Sequence, residues 1–226
     1  MNAARALSIW TAALAAAALA GAACHQDSPS ACFESGGLPY RFSLPTDSTE
    51  VFHWPTSRRL KVYAEPVGNL SANTDRGLAL WTAAPRCGGV SFTRTDDSTQ
   101  ADIIVRNPHT IPLSGAPGAQ LRMGSDSVGA CVGVTFADID TTTHPWTLHP
   151  PMRSYVSHQG SDSAATEACY HFTVVHELGH AIGLLSHSHD TNDIMFMIPR
   201  RPVLSVNDRV TLEVLLSTSP TIVLAH

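Results

Sequence analysis

The 226-residue sequence contains no run of five or more lysines and arginines, and its formal net charge is -5. Nucleic-acid binding needs a basic face against the phosphates, so nucleic acid is excluded as the main partner. Beyond the first 23 residues there is no long apolar run, so the rest of the chain is not expected to span a bilayer as a helix. Internal repeats are absent, which excludes solenoid and propeller architectures. Charged residues are also scarce, at 15%, whereas hydrophobic residues reach 43%. That balance supplies one buried core at this length and argues against wholesale disorder. Imidazole is the commonest aromatic ring, with 12 His against 7 Phe, 4 Trp and 4 Tyr. Such an excess is compatible with metal chemistry but does not establish it.

Residues 1–23 read as a bacterial-type secretory signal peptide: Arg5, then the apolar stretch ALSIWTAALAAAALAGAA, then Cys24 and polar sequence. The expectation is an exported protein, extracellular or attached to the cell envelope. Ala22-Ala23-Cys24 resembles a lipoprotein cleavage site, with Gly21 where Leu is usual; acylation of Cys24 would be the membrane attachment. A cut among the alanines is the alternative. Without Cys24, the chain keeps Cys32, Cys87, Cys131 and Cys169, an even set suited to two disulfides in an oxidising compartment. Their three possible pairings stay open.

Residues 24–53, rich in Ser, Pro, Gly and Thr, read as an N-terminal arm or tether, and residues 54–226 as one domain. Alternation predicts strands over 59–64, 90–94, 101–105 and 131–136, with a weaker one over 152–157. Helices are expected over 73–84 (Asn73 or Thr74 as cap), 164–182 and 207–216, the last with Ser205 and Asp208 at capping-box spacing. Residues 107–130 carry many Gly, Pro and Ser and are expected to be loop. Strands early and helices late indicate an α+β domain.

The chemistry centres on His176-Glu177-Leu178-Gly179-His180. On a helix, His176 and His180 lie one turn apart on one face, with Cβ atoms about 6 Å apart, so both imidazoles can reach one ion. Glu177 projects beside them, placed to act on a metal-bound water without binding the metal. A shuffled chain of this composition would contain the five-residue pattern roughly 2% of the time, so the neighbours must decide. Gly183 ends the helix with a residue free to turn the chain back. His187, His189 and Asp190 then follow as candidates for the third protein ligand that a catalytic zinc site needs.

The stretch HELGHAIGLLSHS resembles the metzincin clan of zinc metalloproteases, in particular its matrixin-like branch. The clan's pattern is His-Glu-x-x-His-x-x-Gly-x-x-His, and here its last position falls on Ser186, with His187 one residue beyond. Eight residues after His187 comes Met195, in Asn192-Asp193-Ile194-Met195-Phe196, which looks like the clan's Met-turn. That spacing favours His187 over His189 as third ligand. Ser91-Phe92-Thr93-Arg94, Ala101-Asp102-Ile103 and Leu204-Ser205-Val206-Asn207-Asp208 resemble matrixin strands and the start of the final helix. The resemblance implies a twisted mixed β-sheet with an active-site helix, above a small lower subdomain carrying the Met-turn and C-terminal helix. It implies one catalytic Zn2+ on His176, His180 and His187, Glu177 as general base, and hydrolysis of peptide bonds in protein or peptide substrates by a monomer. Val132 to Phe136 would be an edge strand able to bond an extended peptide.

Several alternatives are weighed beside it. Pro85-Arg86-Cys87-Gly88-Gly89 resembles a matrixin cysteine switch, but it falls after the first helix and lacks the following Pro, so Cys87 reads as a disulfide partner. Glu213, the only Glu after the motif, would be the third ligand of a gluzincin-like site, but it lies late in the last helix. His144, His149 and His158 read as solvated loop residues, and His171 lies off the ligand face. Asp138 and Asp140 could bind a structural Ca2+, though two carboxylates without the rest of the pattern are weak support, and Asn69-Leu70-Ser71 matches a glycosylation sequon. From another class, a non-catalytic zinc-binding surface lipoprotein holding a partner in its cleft is the competing function.

Overall fold

The computed structural model describes residues 36–86, 88–108, 120–128, 131–158 and 164–225. Cys24, Cys32 and Cys87 lie outside these residues, as does the whole segment read as a signal peptide.

Among the described residues the fold is α+β, with three α-helices and a seven-stranded, mostly parallel sheet. The strands are β1 (Arg59–Ala64), β2 (Ser91–Arg94), β3 (Ile103–Arg106), β4 (Gln120–Val128), β5 (Cys131–Asp140), β6 (Trp146–His158) and β7 (Ile222–Leu224). The helices are α1 (Leu70–Ala83), α2 (Ala164–Ile182) and α3 (Val206–Ser217). The sheet runs β2-β1-β3-β6-β5-β4, with β7 added beside β6. β1 is parallel to β2 and β3, β3 to β6, and β6 to β7, while β5 is antiparallel to both β4 and β6. β1 shows why the alternation is readable: Leu60, Val62 and Ala64 face the core, while Arg59 and Lys61 are exposed.

α2 lies across β5 and β6 and packs against α1. The helices approach closely at Gly77, where an added Cβ would sit 2.7 Å from Leu178 Cδ1. Two buried indoles fasten α2: Trp81 Nε1 donates to Val175 O (2.9 Å) and Trp54 Nε1 to Ala181 O (2.8 Å). The disulfide Cys131–Cys169 ties the first residue of β5 to α2 across 38 residues, which selects one of the pairings left open by sequence. No described helix is long and apolar enough to cross a membrane.

Four expectations need correction. The stretch 107–130 is not all loop, because Gln120–Val128 forms β4. Its Gly, Ser and Asp content hides a strand that exists through pairing with β5. In consequence β5 is an interior strand, and Val132–Phe136 is not an edge open to a peptide. β6 is more than twice the expected length: a register shift between Phe136 and Asp138 lets Pro150 and Pro151 pass within the strand. Finally, the packed body begins before Trp54, since Ser43, Leu44, Glu50, Val51 and Phe52 are all buried. Those short apolar pairs carry no periodicity from which burial can be read.

Candidate metal centre

α2 presents His176 and His180 on one buried face. Each ring is oriented by its Nδ1: His176 donates to Ile194 O at 2.7 Å and His180 to Leu184 O at 2.6 Å. A carbonyl can only accept, so Nδ1 carries the hydrogen and the neutral ring's lone pair lies on Nε2. His187, half-buried, completes the group, and the three ligand atoms lie within 4.8 Å of one another. His180 Nε2 and His187 Nε2 are 3.2 Å apart. Two bonds of about 2.1 Å meeting at a tetrahedral angle span about 3.4 Å, so this spacing suits a shared cation. The triad can therefore hold a metal ion, and it is the one such group among the described residues.

The return of the chain to His187 is built at Gly183. Leu184 N donates to Gly179 O and Gly183 N to His180 O, each at 3.0 Å, the paired bonds of a Schellman turn. Gly183 has φ +121°, and an added Cβ would stand 2.3 Å from Phe52 O. Gly183→Ala is expected to destabilise the metal-free protein by roughly 1–3 kcal/mol; urea unfolding measures this, and an unchanged midpoint would show that the turn relaxes without cost. Beyond the turn, Leu184, Leu185 and Ser186 are buried. Ser186, where the metzincin pattern would place a ligand, donates instead to Ser43 O at 2.5 Å. The next side chain, His187, joins the histidines. His189 is exposed and stands outside the group, and exposed Asp190 accepts from Asn192 N and Nδ2.

Met195 is fully buried beneath α2, and a Cβ on Gly179 would meet its Sδ at 2.3 Å and Trp81 Cζ2 at 2.8 Å. Gly179, the glycine inside the motif, is thus required by the approach of Met195 and Trp81. The turn that carries Met195 is pinned by two buried carboxylates. Asp208 accepts from Ile194 N (2.8 Å), Met195 N (3.3 Å), Ser205 N (2.8 Å) and the Tyr40 hydroxyl (2.9 Å). Asp193 accepts from the hydroxyls of Ser188 and Ser205. The predicted capping box of Ser205 and Asp208 is present, and the same Asp208 carboxylate serves both helix and turn. Burial pushes the Asp208 carboxyl upward, while the N–H groups of Ile194 and Ser205 pull it back. Burial beside Asp208 also holds the Tyr40 phenol well above its usual range, which keeps it a donor.

Glu177 is fully buried between α2 and the sheet. Thr135 Oγ1 donates to its Oε2 at 2.6 Å, and Ser154 Oγ lies 2.9 Å from Thr135 Oγ1. Thr135 and Ser154 are cross-strand partners on β5 and β6. Two residues earlier, a Cβ on Gly133 would lie 2.4 Å from Glu177 Oε1, so glycine clears the space that the carboxylate fills. Sequence reading missed these three. The strand period puts 133 and 135 on one face, but nothing local says that this face meets Glu177.

The remaining candidates stand apart from the triad. His144 stacks on Trp146, His158 meets Tyr170 edge-on, and exposed His149 pairs in register with Asp138. Asp140 accepts from Thr142 N and Oγ1. Buried Glu213 accepts from Arg86 N. Asn69 Nδ2 donates to Glu167, and α1 begins at Leu70 without a side-chain cap at Asn69, three residues before the expected start. No family model matches this chain, and no curated protein matches it.

Proposed function

We propose that this protein is an exported, secreted or surface-anchored zinc-dependent endopeptidase, similar to the matrixin-like branch of the metzincins, acting as a monomer on protein or peptide substrates. The observation that carries this reading is the convergence of three imidazoles, from one helix and the turn after it, with Glu177 next to the first of them. Met195 packed under Gly179 and a sheet laid against α2 support the finer, metzincin-like reading of the fold.

His176, His180 and His187 would hold the ion, a neutral three-nitrogen set of the kind found at catalytic zinc. When bound, zinc supplies Lewis acidity, lowering the pKa of a coordinated water toward about 7 and polarising a carbonyl oxygen. Ile194 O and Leu184 O fix the tautomer and orientation of two of the rings. Glu177 takes a proton from the attacking water and returns it to the leaving amine. Thr135 holds that carboxylate in place from the sheet side. Phe196 and Met197 follow Met195, so no tyrosine stands there to donate to a developing oxyanion.

One feature favours a second reading, a non-catalytic zinc-binding lipoprotein: the complete enclosure of Glu177 by Gly133, Thr135 and Ser154. Metal analysis joined to digestion of a peptide library, with and without chelator, separates the two. One zinc per chain is expected, with cleavage lost to chelator and recovered on adding zinc. Bound zinc without cleavage selects the non-catalytic reading, and no bound zinc removes both.

A further inference from the structure

We propose that residues Phe42 and Ser43, gripped by Leu185 and Ser186, form a positioning wall of the metal centre, so that the packed segment before Trp54 governs how tightly the cation is held. The proposal rests on the reading that the three histidines bind a divalent cation, and it concerns the residue that departs from the family's pattern.

The third ligand arrives on a short stretch with no helix or strand of its own. Between the end of α2 and His187, two polar attachments run to the upstream segment. Leu185 N donates to Phe42 O at 2.9 Å, and Ser186 Oγ donates to Ser43 O at 2.5 Å. Ser43 and Ser186 are each 5% exposed, so water does not replace this bond at little cost. The remaining attachments run back to α2: the Schellman bonds at Gly183 and Leu184, and the bond from His180 Nδ1 to Leu184 O. They fix the turn, Met195 O and Asp193 hold Ser188 on the far side of His187, and the wall holds Leu185 and Ser186 between these two anchors.

The wall is itself anchored. Tyr40 N donates to Thr211 Oγ1 (3.0 Å), and the Tyr40 hydroxyl donates to Asp208, the carboxylate that also holds Ile194 N. Ile194 O orients His176, and Leu184 O orients His180. One stretch of chain, residues 40–43, therefore reaches the supports of all three histidines. Outer contacts that orient ligands typically change metal affinity 10–100-fold when removed. Ser186 is a positioning residue by this argument: its hydroxyl, which cannot serve as the family's imidazole does, aims the following side chain.

The test uses the full chain and Zn2+ alone, with affinity read by competition against a chromophoric chelator. Ser186→Ala is expected to weaken zinc binding about tenfold, and Ser186→Thr, which keeps the hydroxyl, to restore most of it. A merely structural role would lower the unfolding midpoint of the metal-free protein and leave zinc affinity alone. A second measurement needs no variant. Because coupling is reciprocal, zinc must in turn strengthen the wall. Hydrogen exchange at the Leu185 amide should therefore slow about tenfold on adding zinc, beyond any slowing in β1 and β3. Unchanged zinc affinity in Ser186→Ala, or no added protection at Leu185, overturns the proposal while leaving the metal centre intact. Wild-type protein that binds no zinc overturns the metal centre itself and the proposal with it.

Discussion

Glu177→Gln will retain zinc at the wild-type stoichiometry and lose peptide hydrolysis by roughly 10²–10⁴-fold, the range supplied by a general acid–base group. Glutamine is the informative replacement because it keeps the shape of the buried side chain. Gly133 leaves the same clearance, and the Thr135 hydroxyl can still donate to the amide oxygen. Alanine would instead leave a void beside two buried hydroxyls, confusing loss of the base with loss of packing. The two ligands on α2 are untouched by the change, since their orientation comes from Ile194 O and Leu184 O. Steady-state hydrolysis by zinc-loaded protein, set beside metal content, reads both halves. Undiminished hydrolysis removes Glu177 from the reaction. Lost hydrolysis together with lost zinc would mean that Glu177 is structural.

The parts of the fold and site that were legible share one physical property: their signal is local. Helical spacing alone puts His176 and His180 on one face. The capping box at Ser205 and Asp208 needs only four consecutive residues. Gly183 is readable as a helix stop because positive φ is a backbone matter. The rest depends on what lies across space. β4 contains Gly124, Ser125, Asp126 and Ser127, and becomes a strand only because β5 is there to pair with it. The same pairing places β5 inside the sheet, against the expectation of a free edge. Thr135 and Ser154 are unremarkable residues until α2 brings Glu177 over them. The arm is the plainest case. Ser43 is one serine in a Ser- and Pro-rich stretch, and only the turn carrying His187 gives its carbonyl a role. Spacing to Met195 pointed to His187, and the structure places His187, not His189, with the other two rings.

That placement yields the second large effect. His187→Ala should weaken zinc binding by more than about 100-fold, beyond the cost of losing any outer contact. His189→Ala should leave it unchanged, since that side chain is exposed and outside the triad. Two nitrogens on one face of α2 cannot complete a three-ligand site, and the nearest carboxylate downstream, Asp190, is turned to Asn192. Competition against a chelator decides between the two histidines, and retained affinity in His187→Ala with loss in His189→Ala would reverse the assignment. The double replacement Ser186→His/His187→Ser sharpens the point. It restores the spacing of the family pattern in sequence, yet position 186 is buried with its side chain directed at Ser43 O. An imidazole there would face the wall and not the cation, and would be larger than the space that a serine fills. Zinc binding should therefore stay as weak as in His187→Ala, because at this turn the direction of the side chain, and not the count of residues from the helix, determines which one reaches the metal.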